Sequence, residues 1–536
     1  MMLKNHFDIN NERVTMAASN EQNEASSHTP PLIPTQNGTL ELHDITIIDQ
    51  SKLRKAISAA ALGNAMEWFD FGVYGFVAYA LGQVFFPSAS PSVQMIAALG
   101  TFSVPFLVRP LGGVFFGILG DRFGRQKVLS TTIIIMALST FCIGLIPSYN
   151  SIGIWAPVLL LLCKLAQGFS VGGEYTGAAI FVAEYSPDRQ RGFLGSFLDF
   201  GSICGFVLGA GLVVLLQNIM GSAHFLSWGW RIPFFLAAPL GLLGLYLRHA
   251  AEETPAFQKH LDMMEKDEQE EVSSRPRVSF KEIVQRFWRT LLVSVGLVLT
   301  TNITYYMLLT YMPSYLSHNL HYGEDRGVLI IIAIMIGMMF MQPIIGFVSD
   351  KIGRRPFVIG GSVALLVLAI PCFQLITSGK VGLIFLGLFI LALILNFFTG
   401  VMASTLPALF PTRIRYSALA SAFNIAIIIA GLTPTIAAAL VDSTNNLFIP
   451  AYYLMVVGVI GIVTGIFLKE TANRPLRGVS PSASNKQEAR ELLAETYEHI
   501  EQSVDDIDAA IARLQQQILD LEKRKQQYVD LHPKME

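Results

Sequence analysis

The sequence predicts an all-α membrane protein: twelve transmembrane helices in two pseudo-symmetric six-helix bundles, then a C-terminal cytoplasmic coiled-coil helix. Three observations predict it. Of 536 residues, 52% are hydrophobic and only 15% charged, with a mean hydropathy of +0.49, whereas soluble domains carry about 25% charged residues. Apolar runs of about 18 or more residues recur from Ala56 to Leu468. Lys and Arg alternate from one connection to the next, and a short motif occurs twice at a constant offset.

Residues 1–43 are rich in Asn, Ser, Thr, Gln and Pro and hold no apolar core, so 1–55 reads as a largely disordered lead-in. The first bundle, 56–247, has spans near 56–86, 93–119, 128–147, 153–183, 193–217 and 230–247. A charged loop follows at 248–289. The second bundle, 290–468, has spans near 290–317, 326–348, 357–377, 381–407, 416–440 and 451–468. The tail is 469–536.

Basic residues orient these spans. The second, fourth, eighth and tenth connections hold Arg122, Arg125, Lys127; Arg189, Arg191; Lys351, Arg354, Arg355; and Arg413, Arg415. The odd-numbered connections hold only Arg326 and Lys380. Lys52, Arg54 and Lys55 precede the first span, and Lys469, Arg474 and Arg477 follow the last. The positive-inside rule then makes both termini and the central loop cytoplasmic.

The second connection reads GILGDRFGR (117–125) and the eighth GFVSDKIGR (346–354). Gly117, Asp121, Arg122, Gly124 and Arg125 thus answer Gly346, Asp350, Lys351, Gly353 and Arg354. Likewise SPDRQRG answers FPTRIRY, with Pro187, Arg189 and Arg191 matching Pro411, Arg413 and Arg415. The chain is two halves of one plan. The glycines allow close helix approach, and Asp121 can meet a helix N-terminus or an Arg from another connection, a lock on the cytoplasmic side.

This doubled motif resembles the major facilitator superfamily. NAMEWFDFGVYG in span 1, AQGFSVGGEYTGA in span 4, WRIPFF in span 6 and NITYYMLLTYMPSYL in span 7 resemble its metabolite–proton symporter family. With KETANRPL after span 12 and a long heptad tail, residues 44–536 resemble that family's osmosensory members. The resemblance implies a bacterial inner-membrane symporter that imports zwitterionic osmoprotectants such as proline and glycine betaine. It implies a proton gradient as energy source, no cofactor, and activation by high osmolality. A symporter for a dicarboxylate or other organic acid of the same family, a non-transporting sensor and a passive channel are the rival readings.

Ionisable residues inside membrane spans are functional candidates. The first half holds Glu67, Asp70, Arg109, Lys164, Glu174 and Asp199; the second offers Asn302, Asn396 and Asn424 instead. Proton work is therefore expected in the first half. Glu67 and Asp70 share a helix face near the midplane, and two neighbouring carboxylates resist being ionised together, which suits one of them to carrying a proton. Lys164, at similar depth in span 4, is the expected partner of Asp70. Asp70 is the expected carrier and Glu67 its modulator. Glu174, after Gly172 and Gly173, fits either the gate or the proton path. Arg109 and Asp199, counted near the cytoplasmic ends, fit a packing pair or snorkelling side chains. One proton moving down about 100 mV supplies roughly 2.3 kcal/mol, enough for about a 50-fold gradient of a neutral solute.

A betaine-like solute needs aromatic faces for its cation and donors for its carboxylate. Trp68, Phe71, Tyr74, Tyr305, Tyr306, Phe397 and Phe398 are candidates for the first, and Asn302, Asn396 and Asn424 for the second. In the tail, Leu493, Ile500, Ile507, Leu514, Leu521 and Tyr528 recur every seven residues, with Tyr497, Val504, Ile511, Ile518 and Lys525 in the alternate seam. About five heptads, near 490–528 and some 54 Å long, predict a homodimeric coiled coil.

Cys142, Cys163, Cys204 and Cys372 lie in apolar segments without framework spacing and read as packing residues. GFSVG (168–172) matches a nucleophile elbow but lies within a membrane span, where that strand–turn–helix motif has no place. Neither a phosphate loop, a metal-ligating cluster nor a nucleic-acid signature appears, so the expectation is a transporter rather than an enzyme or an ATP-driven pump.

Overall fold

The computed structural model describes residues 42–88, 91–123, 125–249, 280–316, 320, 324–496 and, in the tail, 511, 515–516, 518–519 and 521–523. The chain divides into two compact units, Thr46–Lys486 and the two ends Met1–Ile45 with Gln487–Glu536. The first half of the large unit holds α1 (Gln50–Phe85), α2 (Pro91–Phe123), α3 (Arg125–Leu145), α4 (Trp155–Val171), α5 (Glu174–Tyr185), α6 (Arg191–Ser227) and α7 (Ile232–His249). The second half holds α8 (Phe280–Tyr305), α9 (Glu324–Ile352), α10 (Arg355–Ile376), α11 (Val381–Ala408), α12 (Thr412–Gly431), α13 (Thr433–Thr444) and α14 (Ile449–Phe467). Residues 250–279 of the predicted central loop lie outside the described residues, and α8 begins inside that loop.

Among the described residues, eight helices are long and apolar enough to cross a membrane. Shorter apolar stretches at Ser103–Phe116, Ser130–Leu145 and Gly229–Leu243 fall in the predicted second, third and sixth spans. Leu111, Ile219, Leu242, Phe340, Val456 and Phe467 are exposed around the bundle. Such apolar exposure fits a lipid-facing surface.

Two predicted spans are broken. The fourth is split into α4 and α5 at Gly172–Gly173, where two residues without side chains weaken the helix. The eleventh is split at Leu432, because Pro434 lacks an N–H and starts α13. In the seventh, α8 runs into a π-helical stretch, Tyr306–Tyr311, a departure common at functional sites.

Small residues bring backbones into contact beside the centre. A Cβ on Gly205 of α6 would lie 1.9 Å from the Ala65 carbonyl oxygen of α1, and one on Gly112 of α2 would lie 1.8 Å from that of Phe169 in α4. Substituting either glycine forces these helices apart. The halves meet where α9 and α11 pack on α6, α12 on α2, and α11 and α12 on α5.

Candidate functional site

Side chains from both halves enclose a central cavity of about 20 Å³. Glu67 and Trp68 come from α1, Arg109 from α2, Tyr175 from α5 and Asp199 from α6. The second half supplies Thr301, Asn302, Tyr305, Tyr306, Thr399, Met402, Phe423 and Ile427. A space of about 10–15 Å³ admits one water, so an organic solute requires the walls to part. Trp68 packs on Tyr305 with ring centroids 4.6 Å apart, and Tyr175 stacks on Phe423 at 5.0 Å. Both contacts join the halves.

The α1 acids turn to different cations. Glu67 accepts a 3.0 Å hydrogen bond from Nη2 of Arg109 inside the cavity. Asp70 lies 3.9 Å from Nζ of Lys164, outside the cavity lining. That ammonium also donates to Gln167 at 2.7 Å and sits 4.0 Å above the Tyr74 ring, while Gln167 donates to Thr140 at 2.9 Å. The expected Asp70–Lys164 approach is present. Glu67 and Asp70 do not share one site, because helical rotation over three residues suffices to aim them at α2 and α4 respectively.

The reading of Arg109 and Asp199 as a pair or as snorkelling groups is corrected. Both are buried, both line the cavity, and Asp199 accepts from the Tyr175 hydroxyl at 3.2 Å. Depth counting misplaced Arg109 because α2 continues to Phe123, leaving the arginine deep in the helix. Of the solute-site candidates, Trp68, Asn302, Tyr305 and Tyr306 line the cavity. The others do not. Phe71 stacks on Phe106, Tyr74 bonds Thr101 beneath Lys164, and Asn396 accepts from Gln342 at 3.2 Å. Phe397 meets Phe357 edge-on and Phe398 is buried in the core. Asn424 donates to the Gly172 carbonyl at 2.7 Å, and Tyr416 donates to that of Gly173 at 3.2 Å. The α4–α5 break is thus bridged by α12 of the other half, and Glu174 is buried in the first turn of α5. Tyr175, Thr301, Thr399, Met402, Phe423 and Ile427 were missed; being uncharged, they carry no sequence signal that separates cavity from core.

The second motif copy forms a lock between the halves. The Asp350 carboxylate accepts backbone N–H bonds from Gly192 at 2.7 Å and Phe193 at 2.8 Å, at the N-terminus of α6, where a helix favours an anion. Arg354 lies 3.6 Å from Asp350 and donates to the Ser404 and Thr471 carbonyls, while Lys351 sits over the Phe347 ring. Gly353 adopts φ +103° beside Glu470. For the first copy, Gly117, Asp121 and Arg122 fall in the last turns of α2 and Arg125 opens α3, but Gly124 and the side chains of Asp121, Arg122 and Arg125 lie outside the described residues. On the same face Arg415 pairs with Glu184 at 2.9 Å, and Arg191 pairs with Asp188.

A strap the sequence did not reveal closes over this face. After α14, residues 468–485 run without helix across the loops of both halves. Ser482 donates to Asp188, and Thr46–Ile47 and Ser482–Ala483 form a parallel two-strand ladder, β1–β2. The Arg477 carbonyl accepts from Arg415 and Thr412, and that of Arg474 accepts from Arg191. The strap begins at Glu470, which accepts backbone N–H bonds from Arg354, Arg355, Thr471 and Ala472 at 2.8–3.0 Å. Burial works to raise its pKa, but those four donors together hold the carboxyl below the usual glutamate value.

The predicted heptads lie largely outside the described residues. Residues 487–496 are helical, and Ile511, Ile518 and Leu521 are exposed on helical residues.

Comparison with known proteins fits this architecture. The family model described as "Sugar (and other) transporter" matches residues 56–482, and "Osmosensory transporter coiled coil" matches 484–536. The chain is 69% identical over 497 residues to a proline/betaine transporter of Escherichia coli (strain K12), covering 93% of this chain and 98% of that protein. It is 68% identical over 496 residues to a glycine betaine/proline/ectoine/pipecolic acid transporter of Dickeya dadantii (strain 3937), covering 92% and 98%. A solved proton:xylose symporter of the major facilitator superfamily, bound to 6-bromo-6-deoxy-D-glucose, has the same fold, with TM-score 0.65 at 19% identity over 83% of this chain and 99% of that one. The chain belongs to the sugar (and other) transporter family, and its end, residues 484–536, matches the osmosensory transporter coiled coil.

Proposed function

We propose that this multi-pass membrane transporter imports zwitterionic osmoprotectants, proline and glycine betaine among them, together with protons, and that high osmolality activates it. The relatives named above are transporters of such solutes. The observation that carries the proton half is the pair of buried acid–base contacts on α1, Glu67–Arg109 at 3.0 Å and Asp70–Lys164 at 3.9 Å, beside a cavity between two halves. Neutralising one member of a buried pair leaves its partner uncompensated, at a cost of about 3–5 kcal/mol. Proton binding there therefore favours a different arrangement of helices. Asp70 carries the proton in this reading, with Lys164 as the group it releases.

The cavity lining suits a zwitterion better than a dicarboxylate. It offers aromatic faces to a cation, and it holds two acids, Glu67 and Asp199, against the single base Arg109. Alternating access follows from the repeat: the two halves rock about the cavity, and the lock at Asp350 opens and closes one face. By the positive-inside rule that face is cytoplasmic, as are both termini, in a bacterial inner membrane. The strap gives the tail a covalent route to this lock, and a homodimeric tail would cover apolar side chains such as Ile518 and Leu521.

Proteoliposomes loaded with the pure protein test the reading, with labelled proline, glycine betaine or 2-oxoglutarate and with or without an imposed pH gradient. Proline and glycine betaine should accumulate only under the gradient, and 2-oxoglutarate should not accumulate. Equilibration without accumulation would replace the symporter with a passive facilitator; no uptake would leave a sensor.

A further inference from the structure

The cavity contains an acid that the protein leaves without a cation. The buried acids Glu67, Asp70, Glu184, Asp188 and Asp350 each lie within 4.0 Å of a Lys or Arg. Among the described residues Asp199 has no such partner. The residue is 5% exposed, and its carboxylate is met by the Tyr175 hydroxyl, at 3.2 and 3.4 Å. Arg109, in the same lining, has a donor to spare: Nη2 holds Glu67, while Nε is buried with no hydrogen-bond partner. A buried carboxylate without a cation and a buried guanidinium N–H without an acceptor are each unfavourable until something answers them.

We propose that Asp199 determines specificity for the cationic pole of the solute and that the spare Arg109 N–H receives its carboxylate. The assignment rests on the transport reading above and places both charges of the zwitterion on named atoms. A secondary ammonium, as in proline, can donate hydrogen bonds to Asp199. A quaternary ammonium has no N–H to donate, so it is held by the charge of Asp199 and by the rings of Trp68, Tyr175 and Tyr305 around the cavity. Tyr175, bonded to both carboxylate oxygens and stacked on Phe423, is a positioning residue that fixes where the negative charge sits. A solute with a carboxylate but no cation leaves Asp199 unanswered and adds a second anion beside it.

The test compares proline with tetrahydrofuran-2-carboxylate, which keeps the ring size and the carboxylate and replaces the ammonium with an ether oxygen. Both compete with labelled proline for uptake by wild-type and Asp199→Asn proteoliposomes. The wild type should prefer proline strongly, and Asp199→Asn should shrink that preference by about 10- to 100-fold, as loss of a charged hydrogen bond predicts. An unchanged preference in Asp199→Asn overturns the assignment, including the case where uptake loses its pH dependence and Asp199 proves to be a proton site. If Asp199→Asn does not insert, Tyr175→Phe decides: without the hydroxyl the carboxylate is no longer held in place, so the preference should fall, though by less than for Asp199→Asn, and an unchanged preference overturns the proposal. A wild type that takes up neither proline nor glycine betaine refutes the transport reading itself. A wild type that transports both while the variant discriminates normally refutes Asp199 alone.

Discussion

Glu184 of the first half and Arg415 of the second form a 2.9 Å ion pair with neither side chain exposed. The same guanidinium holds the Pro407 and Phe410 carbonyls of its own half and the Arg477 carbonyl of the strap. One side chain therefore ties three separate stretches of chain together on the face that the motif occupies.

Removing one member of a buried pair costs about 3–5 kcal/mol, whereas replacing both with apolar groups is often near neutral. Glu184→Gln should weaken closure of this face, and a cysteine placed at the buried Ser349 should label at least about 10-fold faster with a membrane-permeant maleimide. Arg415→Met should cost more than Glu184→Gln, because it also strips the donors from the Pro407, Phe410 and Arg477 carbonyls. Equal labelling in wild type and Glu184→Gln would show that the pair does not hold the face shut.

Asp70→Asn removes the acid facing Lys164 while keeping its size. Uptake driven by a pH gradient should disappear, with membrane insertion unaffected. Persistent uphill uptake would move the proton to Glu67.

Glu470 ties stability of the strap to pH. Its carboxyl is held below the ordinary glutamate value, so the stabilisation is present above pH ~4.5 and is lost as pH falls through the lowered pKa. A spin label on a cysteine at Ser480 should stay ordered near neutrality and become mobile in acid, and Glu470→Gln should abolish this dependence. A label whose mobility is flat from pH 7 to pH 3 contradicts the attachment. Gly353→Ala tests the same contact from the other side: φ is +103° and the added Cβ would lie 2.6 Å from Oε2 of Glu470, so a loss of about 1–3 kcal/mol is expected in thermal unfolding.

Deleting residues 485–536 removes the heptads but leaves the strap through Ser484. If the proposed osmotic activation runs through the tail, the osmolality at which transport switches on should shift while the fold persists. An identical activation curve in proteoliposomes would exclude the tail from sensing.

Periodic and charged features were legible in the sequence, and contacts across the bundle were only partly so. The repeat located Asp350 as the counterpart of Asp121, for which a helix N-terminus and an Arg from another connection were both open; Asp350 meets a helix N-terminus, with Arg354 of its own connection 3.6 Å away. Lys164 and Asp70 could be matched because the spans limit each residue's depth. Arg109 and Glu67 could not, since an error of a few residues in where α2 ends moves the guanidinium by several ångströms along the membrane normal. The strap was illegible for a different reason: residues 468–485 have neither helical nor alternating periodicity, and backbone carbonyls, which every residue carries, make many of its contacts. Among aromatics, Trp68 and Phe71 look alike in sequence, and only helix rotation decides which faces the cavity.

The β1–β2 ladder joins the residues just before the first helix to those just after the last, Thr46 to Ser482 and Ile47 to Ala483. The chain thereby behaves as a drawstring: its ends leave the membrane domain through a single knot tied across the face that carries the Asp350 lock. Tension or bulk applied at either terminus arrives at the same few hydrogen bonds, so a rigid fusion abutting Thr46 should alter turnover as strongly as one abutting Lys486, even though the two positions are 440 residues apart in sequence.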